Sequence, residues 1–519
     1  MPSENYTKKS AINSSVGFIT NVISCLIGFV SRAIFLRILT TEYLGVNGLF
    51  SNVLTMLSFA ELGVGEAMAY AMYSPMKKQN TEKMKALIGF YKKAYRIIAL
   101  VILLVGFILS FFIDYLITDK PDIPENIQTL FCLFLLNNVV SYFMVYKQSV
   151  LVVDQKQYVV ALVRQFVHIA LVVSQCVVLL ITRNYYLYLV CQIVGTLSIN
   201  FLLSIYVNRR YTWIKQNQSE VIDKEEKRAI FKDVKALSIS KIAGVVSNGS
   251  DSVIITKLFG LLAVGMISNY SLVISTINGF VWTALSSITG SLGRFNVDSS
   301  LERKRHVFRE LYLLTFWIYA FVCICLMVLI DPFIMVWLGE QYLIEKPITT
   351  ALIFIVYVSG LNFPFYTFRI TGGIFDPMKY NYVLYAAVNI VLSIALGWWI
   401  GLVGVFMATF ISRIICAEFK EGKIVFKDIL QFSFFKYLLL YVGSALMLAF
   451  TYAVTQYVTN LVPLDGWGGL VAKAFVCAAL INLIFLLSFF KTNAFKGLLQ
   501  KAKNIIPTKL SLKNKNNRR

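Results

Sequence analysis

The chain has 519 residues, of which 58% are hydrophobic and 15% charged, and its mean hydropathy is +0.69. An ordinary soluble domain carries about 25% charged residues, so this balance excludes one and defines a polytopic membrane protein. The formal charge of +22 collects in connecting segments and in the tail; membrane topology and anionic lipid head groups account for it, and no nucleic-acid partner is expected.

A helix needs roughly 20 mainly apolar residues to cross about 30 Å of hydrocarbon. Divided at its polar breaks, the chain gives about fourteen such spans, near residues 14–37, 44–71, 94–117, 127–152, 158–181, 185–206, 236–257, 262–292, 309–330, 348–369, 379–399, 401–417, 433–457 and 466–490. These runs are far longer than the ~10-residue alternation of barrel strands, and a helix satisfies its backbone amides internally. The expected fold class is therefore all-α integral membrane. The opening MPSENYTKKSAIN is short, polar and basic, and no small-residue cleavage site follows the first apolar run, so span 1 is expected to stay uncleaved.

Charge alternates along the connections. One set holds Lys77, Lys78, Lys83 and Lys85; then Lys147 and Lys156; then Arg209, Arg210, Lys215, Lys224, Lys227 and Arg228; then Arg303, Lys304 and Arg305; then Lys420, Lys423 and Lys427. The other set is short, and DYLITDKPDIPEN (114–126) and GEQYLIEKP (339–347) carry more acid than base. The positive-inside rule makes the basic set cytoplasmic, together with both termini. The tail from Lys491 to Arg519 adds nine Lys or Arg and no acid.

An internal repeat organises the spans. RILTTEYLGVNGLFSNV (37–53) aligns without a gap on KLFGLLAVGMISNYSLV (257–273), a constant shift that pairs Arg37 with Lys257, Gly45 with Gly265, Phe50 with Tyr270, Ser51 with Ser271 and Val53 with Val273. Spans 1 and 2 thus lie over spans 7 and 8, running the same way across the membrane. That describes two parallel six-helix halves plus two C-terminal helices, a design known among secondary transporters. The expected divisions are a cytoplasmic N-terminus (1–13), an N-terminal half (14–206), a basic linker (207–235), a C-terminal half (236–417), a cytoplasmic loop with helices 13 and 14 (418–490) and a basic tail (491–519).

The same shift superposes two polar stripes. In SISKIAGVVSNGSDS (238–252), Lys241, Gly244, Asn248, Asp251 and Ser252 recur at helical spacing; at the matching positions of span 1 stand Asn21, Ser24, Gly28, Ser31 and Arg32. A charge facing lipid at the bilayer centre costs at least ~2.5–3.5 kcal/mol, so such faces turn to a neighbouring helix or a water-filled cavity. A central hydrophilic cavity walled in part by spans 1 and 7 is one reading; an Arg32–Asp251 pair that merely holds the halves together is the other. Arg164 and His168 share one face of span 5, and Arg294 and Arg369 lie near the cytoplasmic ends of spans 8 and 10, where snorkelling competes with a cavity role. Arg32, Arg164, Lys241, Arg294 and Arg369 together would make a cationic lining suited to an anionic substrate, with arginine able to grip phosphate bidentately.

Other chemistries have little support. All eight cysteines fall inside spans, without disulfide or zinc spacing, and His168 and His306 stand apart with no nucleophile motif nearby. No metal site, cofactor or enzymatic activity is expected.

Residues 39–99, with EYLGVNGLFSNVL, the acid-Leu-Gly-X-Gly motif from Glu61 to Gly65 and the basic loop that follows, resemble the second-span region of bacterial polysaccharide exporters. These are the O-antigen and capsular repeat-unit flippases of the multidrug/oligosaccharidyl-lipid/polysaccharide (MOP) superfamily. The resemblance implies a V-shaped transporter in the bacterial plasma membrane. It would move a polyprenyl-pyrophosphate-linked oligosaccharide to the outer leaflet by alternating access, alongside polysaccharide polymerase machinery. Within the motif Glu61, with Gly63 and Gly65 permitting a bend or close helix contact, is a gate or coupling-ion candidate, as is Asp251; a structural ion pair is the competing role for Glu61. Glu66 reads as interfacial. The coupling ion, H+ or Na+, stays open, as do a multidrug antiporter and a lipid II flippase of the same superfamily. A glycosyltransferase or polymerase is disfavoured by the short outer connections.

Overall fold

A computed structural model describes residues 3–61, 64–117, 121–215, 222–298, 300–372, 374, 378–462 and 465–505. Regular structure there is entirely helical: α1 (Ser3–Ile38), α2 (Thr41–Leu57), α3 (Val64–Lys77), α4 (Thr81–Ser110), α5 (Ile113–Leu116), α6 (Ile127–Ser141), α7 (Val145–Val153), α8 (Gln157–Thr182), α9 (Tyr185–Arg210), α10 (Lys224–Asp298), α11 (Leu301–Trp337), α12 (Lys346–Leu361), α13 (Phe363–Thr371), α14 (Lys379–Ile400), α15 (Leu402–Arg413), α16 (Phe419–Ile424), α17 (Phe434–Asn460), α18 (Gly466–Phe489) and α19 (Asn493–Ile505). Among the described residues, eleven helices are long and apolar enough to cross a bilayer, or twelve with α6 and α7 as one bent span. The expected spans 2, 7 and 8 explain the difference from fourteen. Span 2 is broken into α2 and α3 around a short 3₁₀ turn at Ser58–Glu61, and spans 7 and 8 run together in α10, interrupted only at Gly260 (φ +81°).

Two expected boundaries need correction. Span 3 begins at Thr81, not near 94, because its first turns are amphipathic: Met84, Leu87, Ile88, Tyr91 and Tyr95 form a buried face that a hydropathy reading undervalues. Span 12 does not end at 417; the helical path continues to Ile429 through two π-type turns. The charges that mark a loop in the sequence are here folded inward, with Glu418 and Glu421 only 1% and 0% exposed.

The repeat extends much further than the stretch that reveals it. α4 starts at Thr81 and α11 at Leu301; α6 ends at Ser141 and α12 at Leu361. Each pair differs by the same shift that separates Gly45 from Gly265. Even the interruptions correspond: Thr40, between α1 and α2, is matched by Gly260, and the break in span 4 after Ser141 is matched by the break in span 10 after Leu361. By packing, the chain divides into two compact units, residues 1–268 and 269–519.

Candidate functional site

Within the first unit, repeat-related segments meet through their smallest residues. A Cβ at Gly45 would stand 2.1 Å from the carbonyl oxygen of Leu261, and a Cβ at Gly265 would stand 2.3 Å from that of Thr41. Thr41 and Leu261 are themselves mates under the repeat shift, so the contact is reciprocal, as in an isologous interface. Only glycine allows two helices so close. Polar bonds beside the crossing follow the same relation approximately. Arg32 on α1 donates to Ser268 Oγ (2.9 Å), while Ser252, its mate by register, accepts from Asn52 Nδ2 on α2 (2.7 Å).

The breaks in spans 2 and 4 adjoin. The Tyr142 hydroxyl, at the end of α6, lies 3.0 Å from Ser58 Oγ and within hydrogen-bonding reach of the half-buried Glu61, which Tyr95 also faces. Tyr91 donates to the carbonyl of Gly65 at the start of α3 (2.9 Å). Discontinuous spans of this kind free backbone carbonyls and are where transporters commonly place their substrate or ion sites.

A polar chain crosses from the span 4 break to span 5. Asn200 on α9 donates to the carbonyls of Val140 (3.1 Å), which the Phe143 N–H also caps (3.3 Å), and Ser141 (3.5 Å) at the break. It accepts from Gln148 Nε2 (3.1 Å), and Gln148 Oε1 accepts from Arg164 Nη2 (2.8 Å). The Arg164 guanidinium is thus held by a neutral amide, and no carboxylate lies within ion-pair distance of it among the described residues. Ser24 donates to Gln165 Oε1 (2.6 Å), tying α1 to this wall. On the connecting side, Asp154 binds Lys156 (2.6 Å) and accepts from Tyr211 (2.6 Å); burial first, and then the bond to Asp154, raise the Tyr211 hydroxyl above its ordinary pKa.

The second unit treats charge differently. Arg369 is 4% exposed and pairs with Glu421 (Nε to Oε1, 2.5 Å), whose other oxygen accepts from Asn362 Nδ2 (2.5 Å) at the span 10 break. Arg413 pairs with Glu418 (3.1 Å).

The sequence-derived candidates therefore separate. Arg32, Ser252 and Ser24 make bonds between helices in the first unit, and Arg164 joins the chain to Gln148. Ser31 bonds back to Gly28 of its own helix, Asn21 is exposed, and Asp251 is half-buried. Arg369 is engaged by Glu421 inside the second unit. The side chains of Lys241, Asn248, Arg294 and Glu66 lie outside the described set, and Gly63 lies outside the described residues. Sequence reasoning missed Asn52, Tyr142, Gln148, Asn200 and Glu421. Asn200 and Gln148 carry the one available signal, an amide inside an otherwise apolar run; Glu421 was hidden in a segment read as loop.

Broken spans, a duplicated six-helix plan and a polar interior define a multi-pass transporter-type fold. The lipid II flippase MurJ in an inward closed conformation is similar to this chain with a TM-score of 0.68 at 15% identity, over 91% of this chain and 98% of that one. An inward-facing MATE family multidrug resistance transporter of the MOP superfamily gives 0.61 at 12% identity over 79% and 98%. An outward-facing conformation described in the same terms gives 0.53 at 10% over 80% and 94%. No curated protein sequence matches the chain. The fold is that of the MOP exporters. Residues 10–289, more than half of the chain, match the model of the family described as polysaccharide biosynthesis protein, and the chain belongs to that family.

Proposed function

We propose that the protein is a flippase that carries a polyprenyl-pyrophosphate-linked oligosaccharide from the cytoplasmic to the outer leaflet for surface polysaccharide assembly. Family membership supports the polysaccharide class, and the observation that carries the anionic substrate is Arg164. Its guanidinium donates to Gln148 on a neighbouring helix, and that partner is neutral. An arginine so held has no carboxylate cancelling its charge, and a guanidinium suits bidentate contact with the phosphates of a pyrophosphate. Arg32 at the glycine crossing is the second cation in this scheme, and Glu61, among the hydroxyls of Ser58, Tyr95 and Tyr142, is the gate or coupling group for H+ or Na+. In this scheme the protein acts without a cofactor and catalyses no covalent chemistry. It sits in the bacterial plasma membrane with both termini cytoplasmic, next to the polymerase that consumes its product.

The test is made in a deletion strain by extracting the lipid-linked intermediates. Accumulation of one polyprenyl-pyrophosphate oligosaccharide on the cytoplasmic side, reversed by the intact gene and not by Arg164→Ala at equal membrane abundance, supports the reading. Accumulation of lipid II, or none with heightened sensitivity to cationic drugs, replaces it with one of the other MOP activities.

A further inference from the structure

A site outside the proposed transport path lies in the second unit, where α11, α17 and α18 enclose a cleft of about 610 Å³. Its wall is apolar, with Phe308, Phe316, Leu439, Met447 and Phe489 among the lining residues. Its mouth is cationic: three basic side chains surround the single ring of Phe432, with Arg305 at 4.4 Å, Lys436 at 4.9 Å and Arg309 at 5.6 Å from the ring centroid. Arg305 is fixed by bonds to the carbonyls of Leu430 (2.8 Å) and Gln431 (2.9 Å). Arg309 and Lys436 are exposed. Among the described residues none of the three pairs with a carboxylate, and the adjacent Glu310 is already engaged by Lys501 and His306.

Like charges one helical turn apart repel, and an anion seated between the three relieves that repulsion. The anion must also bring apolar bulk, because the space directly beneath is a greasy cleft of the size that holds a small ligand. A head group with one negative charge and a hydrocarbon tail satisfies both. We infer that this cleft is a binding site for an anionic glycerophospholipid of the bilayer, its phosphate between Arg309 and Lys436 and one acyl chain between α11, α17 and α18. Basic pockets between membrane helices on the cytoplasmic side bind anionic head groups in this way, and the basic connections assign this end of the spans to the cytoplasm. The bilayer supplies that lipid continuously, which favours it over the scarcer cargo.

Gly443 gives a discriminating variant. It lines the cleft, and a Cβ built on it meets nothing within 4 Å. Gly443→Leu therefore places side-chain bulk where the acyl chain would lie, with open space at its Cβ. The full-length protein is purified in detergent and titrated with phosphatidylglycerol or phosphatidylcholine, and bound lipid is counted by intact-complex mass spectrometry. The expected result is one phosphatidylglycerol retained in preference to phosphatidylcholine, weakened about 5-fold for each cation removed in Arg309→Ala and Lys436→Ala and lost in Gly443→Leu, with thermal unfolding of the variants confirming their fold. Equal retention of the two lipids overturns the inference. So does undiminished binding by Gly443→Leu, which reduces the cluster to general surface attraction, and so does displacement of the lipid by an equimolar polyprenyl phosphate, which assigns the cleft to cargo.

Discussion

In the first half of the chain the broken span 4 is held by amides: Asn200 reaches the carbonyls of Val140 and Ser141 at the break, and Gln148 links Asn200 to Arg164. In the second half the break in span 10, at the corresponding position, is held by charge, with Glu421 bridging Asn362 and Arg369. Glu421 stands just beyond the position that corresponds to Asn200, so one joint is built twice from different chemistry. An ion pair cancels its own field, whereas an amide leaves the neighbouring arginine uncompensated. Duplication thus fixed where the helices break, and the side chain filling each break decides whether the neighbouring arginine is neutralised.

The largest effect is expected where charge is buried. Removing one partner of a buried pair costs about 3–5 kcal/mol, so Arg369→Ala and Glu421→Ala should each lower the unfolding midpoint of purified protein sharply, while Arg369→Met combined with Glu421→Leu recovers most of the loss. A tolerated single change would break the assignment of this joint as structural. Next comes the glycine crossing. Gly45→Ala and Gly265→Ala each drive a Cβ onto a backbone carbonyl, an overpacking cost of about 1–3 kcal/mol, and reciprocity requires the two losses to match within about 0.5 kcal/mol. Unequal midpoints would show the crossing to be asymmetric. Asn200→Ala, which removes the side-chain donor to the neutral carbonyls at this break, should cost about 1–3 kcal/mol and fall short of Glu421→Ala in the same assay. The smallest effect on stability belongs to Arg164→Gln, within about 0.5 kcal/mol, yet it should stop export as read by surface polysaccharide. A stability loss as large as that of Arg369→Ala would remove the distinction between the two halves.

Much of this architecture was legible in the sequence because membranes demand long apolar helices and duplication leaves a fixed register. Gly45 and Gly265 stood out in a short alignment, but the helix starts at Thr81 and Leu301 and the breaks in spans 4 and 10, which keep the same register, emerged only from the fold. The break in span 10 has a visible cause, since Pro364 removes a backbone donor and clashes with the preceding turn. The break in span 4, at Ser141–Tyr142–Phe143–Met144, has no such residue and depends on tertiary partners, chiefly Asn200, which only the fold brings near. Buried carboxylates were the hardest to read. Hydropathy treats Glu418 and Glu421 as markers of a loop, and only the arginines packed against them show why they can lie inside a helix.

The buried carboxylate of Glu310 sets an order of events during synthesis. It lies on α11, 2% exposed, and its strongest partner, Lys501 on α19, comes 191 residues later. While the ribosome makes the last spans, Glu310 has the nearby His306 but not yet that lysine. Until the last helix emerges and closes over it, Glu310 therefore lacks the ammonium that neutralises it in the finished molecule. A chain that stops before residue 493 leaves this acid without its ammonium, so the last helix completes the packing of α11.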